Sequence, residues 1–126
     1  MPTRVLLSIK PRFAEAILSG QKIFEFRRTL FRRRDIDTVV VYASSPTSQV
    51  VGDFKICEVL QQSLDALWVS TRVGGGISRE FFDEYFAGRS EGYALKVASP
   101  RRYGVPLRLH KDLGISHPPQ SFRYID

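Results

Sequence analysis

The 126-residue chain holds one cysteine, Cys57, and two histidines, His110 and His117. A lone thiol cannot form an internal disulfide, and no C-x-x-C pair exists to hold zinc, so the fold must stand without a covalent or metal staple. At this length roughly two-thirds of the surface of the unfolded chain can be hidden. One domain over residues 1–126 is therefore expected. The two histidines stand apart in a late, proline-rich stretch with no cysteine or carboxylate cluster beside them, so neither a metal nor a cofactor is expected. A G-x-S-x-G elbow is absent, and so is a phosphate loop of the G-x-G-x-x-G or G-K-[ST] kind. The triple glycine at 74–76 follows a helical stretch and reads as a flexible connection between helices. Long apolar runs are also missing. The branched residues at 39–41 are far too few to span a bilayer, and the first residues lack the apolar stretch and cleavage site of a signal peptide. The expectation is a reduced, cytoplasmic protein with no membrane partner, in which Cys57, mid-strand with Ile56 and Val59 nearby, is a buried and inert thiol.

Negative charge is scarce in one part of the chain. The formal charge is +6, and residues 1–34 hold nine basic side chains against only Glu15 and Glu25, a local +7 that leaves residues 35–126 at −1. A positive field of that density suits a polyanion, either nucleic acid or an anionic membrane surface, although a solvated charged face that aids solubility has the same composition.

What remains is an alternation of short strand and helix signals without repeats. Residues 4–8 form an apolar strand, and Pro11 then opens a helix whose apolar face is Phe13, Ala14, Ala16, Ile17 and Leu18, with Gly20 placed for the cap. Residues 22–29 alternate, with Phe24 and Phe26 on one face and Glu25 and Arg27 on the other. The β-branched run 38–42 is expected to be buried on both sides, and 50–60 reads as a longer strand bent at Gly52 or Asp53. Helices follow at about 64–71 and after Ser78. The second carries Phe81, Phe82, Tyr85 and Phe86, a stripe expected to pack in the core, with base stacking as the other use of such rings. Residues 93–97 and 105–109 complete about six strands. With three or so flanking helices this is an α+β protein, a mixed sheet curled toward a barrel.

The most specific pattern is G-x-K-x-x-E-x-R, from Gly20 through Lys22 and Glu25 to Arg27. Two residues apart on a strand, Glu25 and Arg27 support one another, and the guanidinium fork offers donors to phosphate or a base edge. The carboxylate accepts from exocyclic amines or sugar hydroxyls, donors that a purely basic patch leaves unread. Alternation sets Lys22 on the opposite face, from which twist at the strand mouth would have to bring it round. A plain surface pair at Glu25 and Arg27 would be worth under about 1 kcal/mol.

Leu7-Ser8-Ile9-Lys10-Pro11, this motif, Tyr42-Ala43-Ser44-Ser45-Pro46 and the terminal Pro118-Pro119-Gln120-Ser121-Phe122-Arg123-Tyr124 together resemble the activating signal cointegrator homology (ASCH) domain. The resemblance implies a PUA-like, β-barrel-like fold that binds RNA or a nucleotide in a basic cleft between the first helix and the barrel. It would place Lys10, Lys22, Glu25 and Arg27 in the cleft, with Tyr42, Ser44, Ser45, Gln120, Ser121, Phe122, Arg123 and Tyr124 on its walls. Arg28, Arg32, Arg33 and Arg34 would guide the phosphate backbone. It also implies an alternative, since small bacterial members hydrolyse acetylated cytidine with a lysine that matches Lys22, a threonine replaced here by Glu25, and a distant glutamate whose neighbourhood is taken here by the glycine run.

Overall fold

A computed structural model describes residues 2–126. Strand β1 (Arg4–Ile9) leads into helix α1 (Pro11–Leu18), where Pro11 supplies a fixed φ at the first turn and Ala14, Ile17 and Leu18 form the buried stripe. Strands β2 (Phe24–Arg27), β3 (Thr38–Ala43) and β4 (Gln49–Ser63) follow. Helices α2 (Leu64–Thr71) and α3 (Arg79–Tyr85) are each opened by a serine. Ser63 Oγ accepts from the Ala66 N–H, and Ser78 Oγ from the Phe81 N–H. Strand β5 (Glu91–Leu107), helix α4 (Leu109–Leu113) and strand β6 (Phe122–Ile125) complete the chain.

The six strands form one mixed sheet in the order β2-β5-β4-β3-β1-β6, parallel only between β1 and β3. The sheet does not close into a barrel, for β2 and β6 are its edges. It curls until those edges approach, because the Arg27 guanidinium on β2 donates to the Ser121 carbonyl at 3.0 Å and to its hydroxyl at 2.8 Å, one residue before β6. The seam between the two edges is where the candidate site lies.

Period-two alternation sorts the core. Val5, Leu7, Ile9, Val39 and Val41 pack on α1 inside the curl, while Leu6, Val40, Tyr42 and Val50 face α4 on the other side. All six residues of β3 are buried, as the branched run requires. Helices α2 and α3 cover a third cluster of Phe24, Phe26, Leu67, Phe82, Phe86 and Ala94.

Three sequence expectations change. The strands at 93–97 and 105–109 are parts of one long β5, which absorbs Ser99 and Pro100 as its pairing with β4 jumps between Ala98 and Arg101. Leu109 belongs to α4, an unforeseen fourth helix. Cys57 is exposed because the register shifts between Ile56 and Glu58, which leaves it as the extra residue of a bulge. Among the described residues no helix is long and apolar enough to cross a membrane.

Candidate functional site

Lys22 lies just outside β2 and folds back over it. Its Nζ sits 4.7 Å from the Phe26 ring centroid and 5.1 Å from that of Phe13, on α1, and donates to the Gly75 carbonyl. The glycine run makes this possible. A Cβ on Gly75 would lie 2.5 Å from the Thr71 carbonyl, and one on Gly76 would lie 3.0 Å from Lys22 Cγ. The Ile23 N–H donates to the Gly74 carbonyl at 2.8 Å, so the run is docked against the strand mouth and walls the lysine in. Lys22 is 1% exposed, and burial brings its pKa down from 10.5 to about 8, partly opposed by the charge of Glu25.

Glu25 is also buried, and burial pushes its carboxyl up against the opposing pull of Arg27 and Lys22. Arg27 Nη1 donates to Glu25 Oε2 at 3.1 Å and to the Ser8 carbonyl at 3.4 Å. With the two bonds to Ser121, four of the five guanidinium donors are taken within the protein. Arg27 therefore acts as a staple that joins β1, β2 and the segment before β6 around the carboxylate.

Over this network opens a cleft of about 650 Å³, within the usual range for small-ligand sites. Its walls come from the end of β1, α1, β2, α3 and residues 120–121. Five cations line it (Lys10, Lys22, Arg27, Arg28 and Arg89), and Glu25 is the sole carboxylate among the described lining residues. The aromatic wall is supplied by Phe13, Phe26, Phe81 and Tyr85. Phe81 and Tyr85 lie nearly parallel, at 11° with centroids 6.4 Å apart, and Tyr85 is anchored by its hydroxyl donating to the Phe26 carbonyl at 3.0 Å. Burial also pushes that phenol up. Arg28 stands 5.1 Å from the Tyr85 centroid, and Lys10 stands 5.6 Å from that of Phe81.

The structure thus brings together Lys10, Lys22, Glu25, Arg27, Arg28, Gln120 and Ser121 from the residues expected at the site. The others lie elsewhere. Tyr42 is buried in the cluster beneath α4, and Ser44 and Ser45 sit in the turn after β3, where the Ser44 N–H donates to the Ile9 carbonyl. Phe122 and Tyr124 pack on Phe31, outside the cleft. Arg33 is engaged with Asp35 and its N–H with the Tyr124 hydroxyl, Arg34 donates to the Phe31 carbonyl, and Arg32 and Arg123 point to solvent. Phe13, Phe26 and Arg89 were not among the expected site residues, and Phe81 and Tyr85 were expected in the core, with base stacking only as their other use. The width of the α3 stripe was the available signal. Aromatics at i, i+1, i+4 and i+5 cover more than one face, and here Phe82 and Phe86 fill the core while Phe81 and Tyr85 turn to the cleft.

The model of the ASCH domain matches residues 7–100, which include the cleft's lysine, carboxylate and aromatic rings. The chain belongs to the ASCH family. It is similar to an ASCH domain-containing ribonuclease of Zymomonas mobilis, 28% identical over 125 residues that span 95% of this chain and 82% of that protein. The crystal structure of ASCH from Zymomonas mobilis superposes with a TM-score of 0.89 at 25% identity, covering 98% of this chain and 87% of that one. A large ribosomal subunit protein uL22 of Ureaplasma parvum is 24% identical over 123 residues, which make up 96% of this ASCH chain and 39% of that protein.

Proposed function

We propose that this ASCH protein binds RNA, with one nucleotide seated in the cleft at the sheet seam. The observation that carries the reading is the meeting of unpaired cations with presented rings. Among the described residues, Lys10, Arg28 and Arg89 have no carboxylate within ion-pairing distance, whereas Arg33, Arg79, Arg101 and Arg102 are all paired with acids. Free cations attract phosphate, Phe81 and Tyr85 offer faces for a base, and Glu25 accepts from a ribose hydroxyl or an exocyclic amine. The likeness to a ribonuclease supports RNA as the ligand class. Fluorescence anisotropy with a short single-stranded RNA across a salt series tests it. Binding should weaken steeply with salt, and Lys10→Ala with Arg28→Ala should flatten the slope by about 1 for each phosphate left without its cation. An unchanged slope, or no binding, refutes the proposal.

A second reading, cleavage of the bound RNA, is favoured by Lys22. A buried amine with a pKa of about 8 is neutral in a useful fraction near pH 7. It can take the proton of a 2′-hydroxyl, whose oxygen attacks the adjacent phosphorus. The bond from phosphorus to the 5′-oxygen then breaks, that oxygen takes back the proton from the Lys22 ammonium, and the products are a 2′,3′-cyclic phosphate and a free 5′-hydroxyl. Incubation with RNA in the presence of a chelator should give these ends at a rate that rises toward pH 8, and Lys22→Met should abolish it. The amidohydrolase alternative draws less support, since the glycine run packs against Lys22 and brings no second carboxylate to it.

A further inference from the structure

Next to the main cleft lies a smaller hollow of about 310 Å³ that shares Phe13, Ile77 and Phe81 with it. We propose that this hollow is a second nucleotide subsite, so that the ligand is a single-stranded RNA of at least two nucleotides passing over the Phe13–Phe81 pair. The inference rests on the RNA reading of the main cleft and extends it from one nucleotide to a strand.

The rings of Phe13 and Phe81 meet edge to face, with centroids 5.4 Å apart, and form the divide between the two hollows. Each side of the divide carries its own cation. Lys10, which lines the main cleft, stands 5.6 Å from the Phe81 centroid. Arg12, which lines the smaller hollow, stands 5.3 Å from the same centroid and 4.7 Å from that of Phe13. The stacked guanidinium is oriented by the rings while its donors remain unused. Among the described residues, Arg12 makes no ion pair and no side-chain hydrogen bond, although Glu15 on the same helix is bound by Arg102 through both carboxylate oxygens. No acid lines the smaller hollow, where Ala16 and Ile77 supply an apolar floor.

Two hollows separated by aromatic rings, each with a cation at its rim, match a strand whose bases enter successive pockets while its phosphates follow the cations. A duplex cannot splay its bases in this way, so the arrangement selects single strands.

Calorimetry with 2′-fluoro cytidine ligands, which cannot be cleaved through the 2′-oxygen and keep an exocyclic amine for Glu25, tests the proposal. The probes are a mononucleotide 3′,5′-bisphosphate and a dinucleotide with the same terminal phosphates. The dinucleotide should bind roughly ten-fold tighter than the mononucleotide, the scale of one added base–ring stack. Arg12→Gln should remove most of that gain and leave the mononucleotide within about two-fold of the parent. Equal affinities for the two ligands overturn the subsite while leaving the main cleft intact, and so does an Arg12→Gln variant that weakens both ligands alike or neither. If neither ligand binds the parent protein, the RNA reading of the main cleft fails together with the subsite.

Discussion

Replacing Lys22 by methionine removes the buried charge while keeping the length of the side chain, and its effect on the pH dependence of stability follows from the geometry. In the fold the ammonium gives up its proton at about pH 8, against 10.5 for an ordinary lysine, because burial disfavours the charged form. Between those values the unfolded chain binds more protons than the folded one, so stability rises with pH through the window and is lowest below it. The full gap corresponds to roughly 3 kcal/mol, of which about 2 kcal/mol falls between about pH 6.5 and 9.5. For a domain of this size that is a rise of roughly 6–10 °C in melting temperature. A thioether at this position cannot titrate, so the variant should lack the rise. The substitution also leaves the Gly75 carbonyl without its donor, an offset of about 1–3 kcal/mol that does not vary with pH. The readout is therefore the difference between the two thermal-melt series, in which Tyr85, Tyr103 and the other lysines cancel. Parallel curves for the parent and Lys22→Met would show that the lysine keeps an ordinary pKa, and would refute the description of Lys22 as a walled-in amine.

Other expectations can be checked on the same protein. Arg27→Ala leaves Glu25 buried without its cation and frees Ser121, and should cost roughly 3–5 kcal/mol in urea denaturation, with faster amide exchange through β6. An unchanged denaturation midpoint would contradict the staple. Tyr85→Phe loses the bond to the Phe26 carbonyl and should cost about 1 kcal/mol of stability while retaining RNA affinity, whereas Tyr85→Ala should lose affinity as well. A salt-titration comparison should find that the triple change Lys10→Ala, Arg28→Ala and Arg89→Ala flattens the RNA salt slope more than Arg32→Ala, Arg33→Ala and Arg34→Ala together, because Arg33 already serves Asp35.

Much of this arrangement is legible in the residues. The β-branched run marked a strand buried on both faces, Ser78 marked the start of α3, and the G-x-K-x-x-E-x-R spacing marked the lysine, carboxylate and arginine that meet at the seam. Contacts between distant segments were not legible. The seam forms only when the sheet curls, so nothing local to Ser121 indicates that Arg27 will hold it from 94 residues away. The glycine run read as a flexible connector because the need for glycine arises from Thr71 and Lys22, which approach it only in the fold. The arginine run 32–34 carries a strong local charge, yet its loop leads away from the cleft, where Asp35, Tyr124 and Phe31 occupy two of its three members. Charge density suggested a polyanion partner without indicating which cations line the cleft. Cys57 was misplaced for a similar reason, since its apolar neighbours Ile56 and Val59 gave no sign of the bulge that exposes it.

The most direct test maps where RNA touches the chain, by ultraviolet crosslinking of a short single-stranded RNA followed by mass spectrometry of the joined peptides. Crosslinks concentrated on Phe13, Phe81 and Tyr85, and abolished by competing unlabelled RNA, are expected. Crosslinks confined to Phe122 and Tyr124, with none on α1 or α3, would contradict a binding site at the sheet seam.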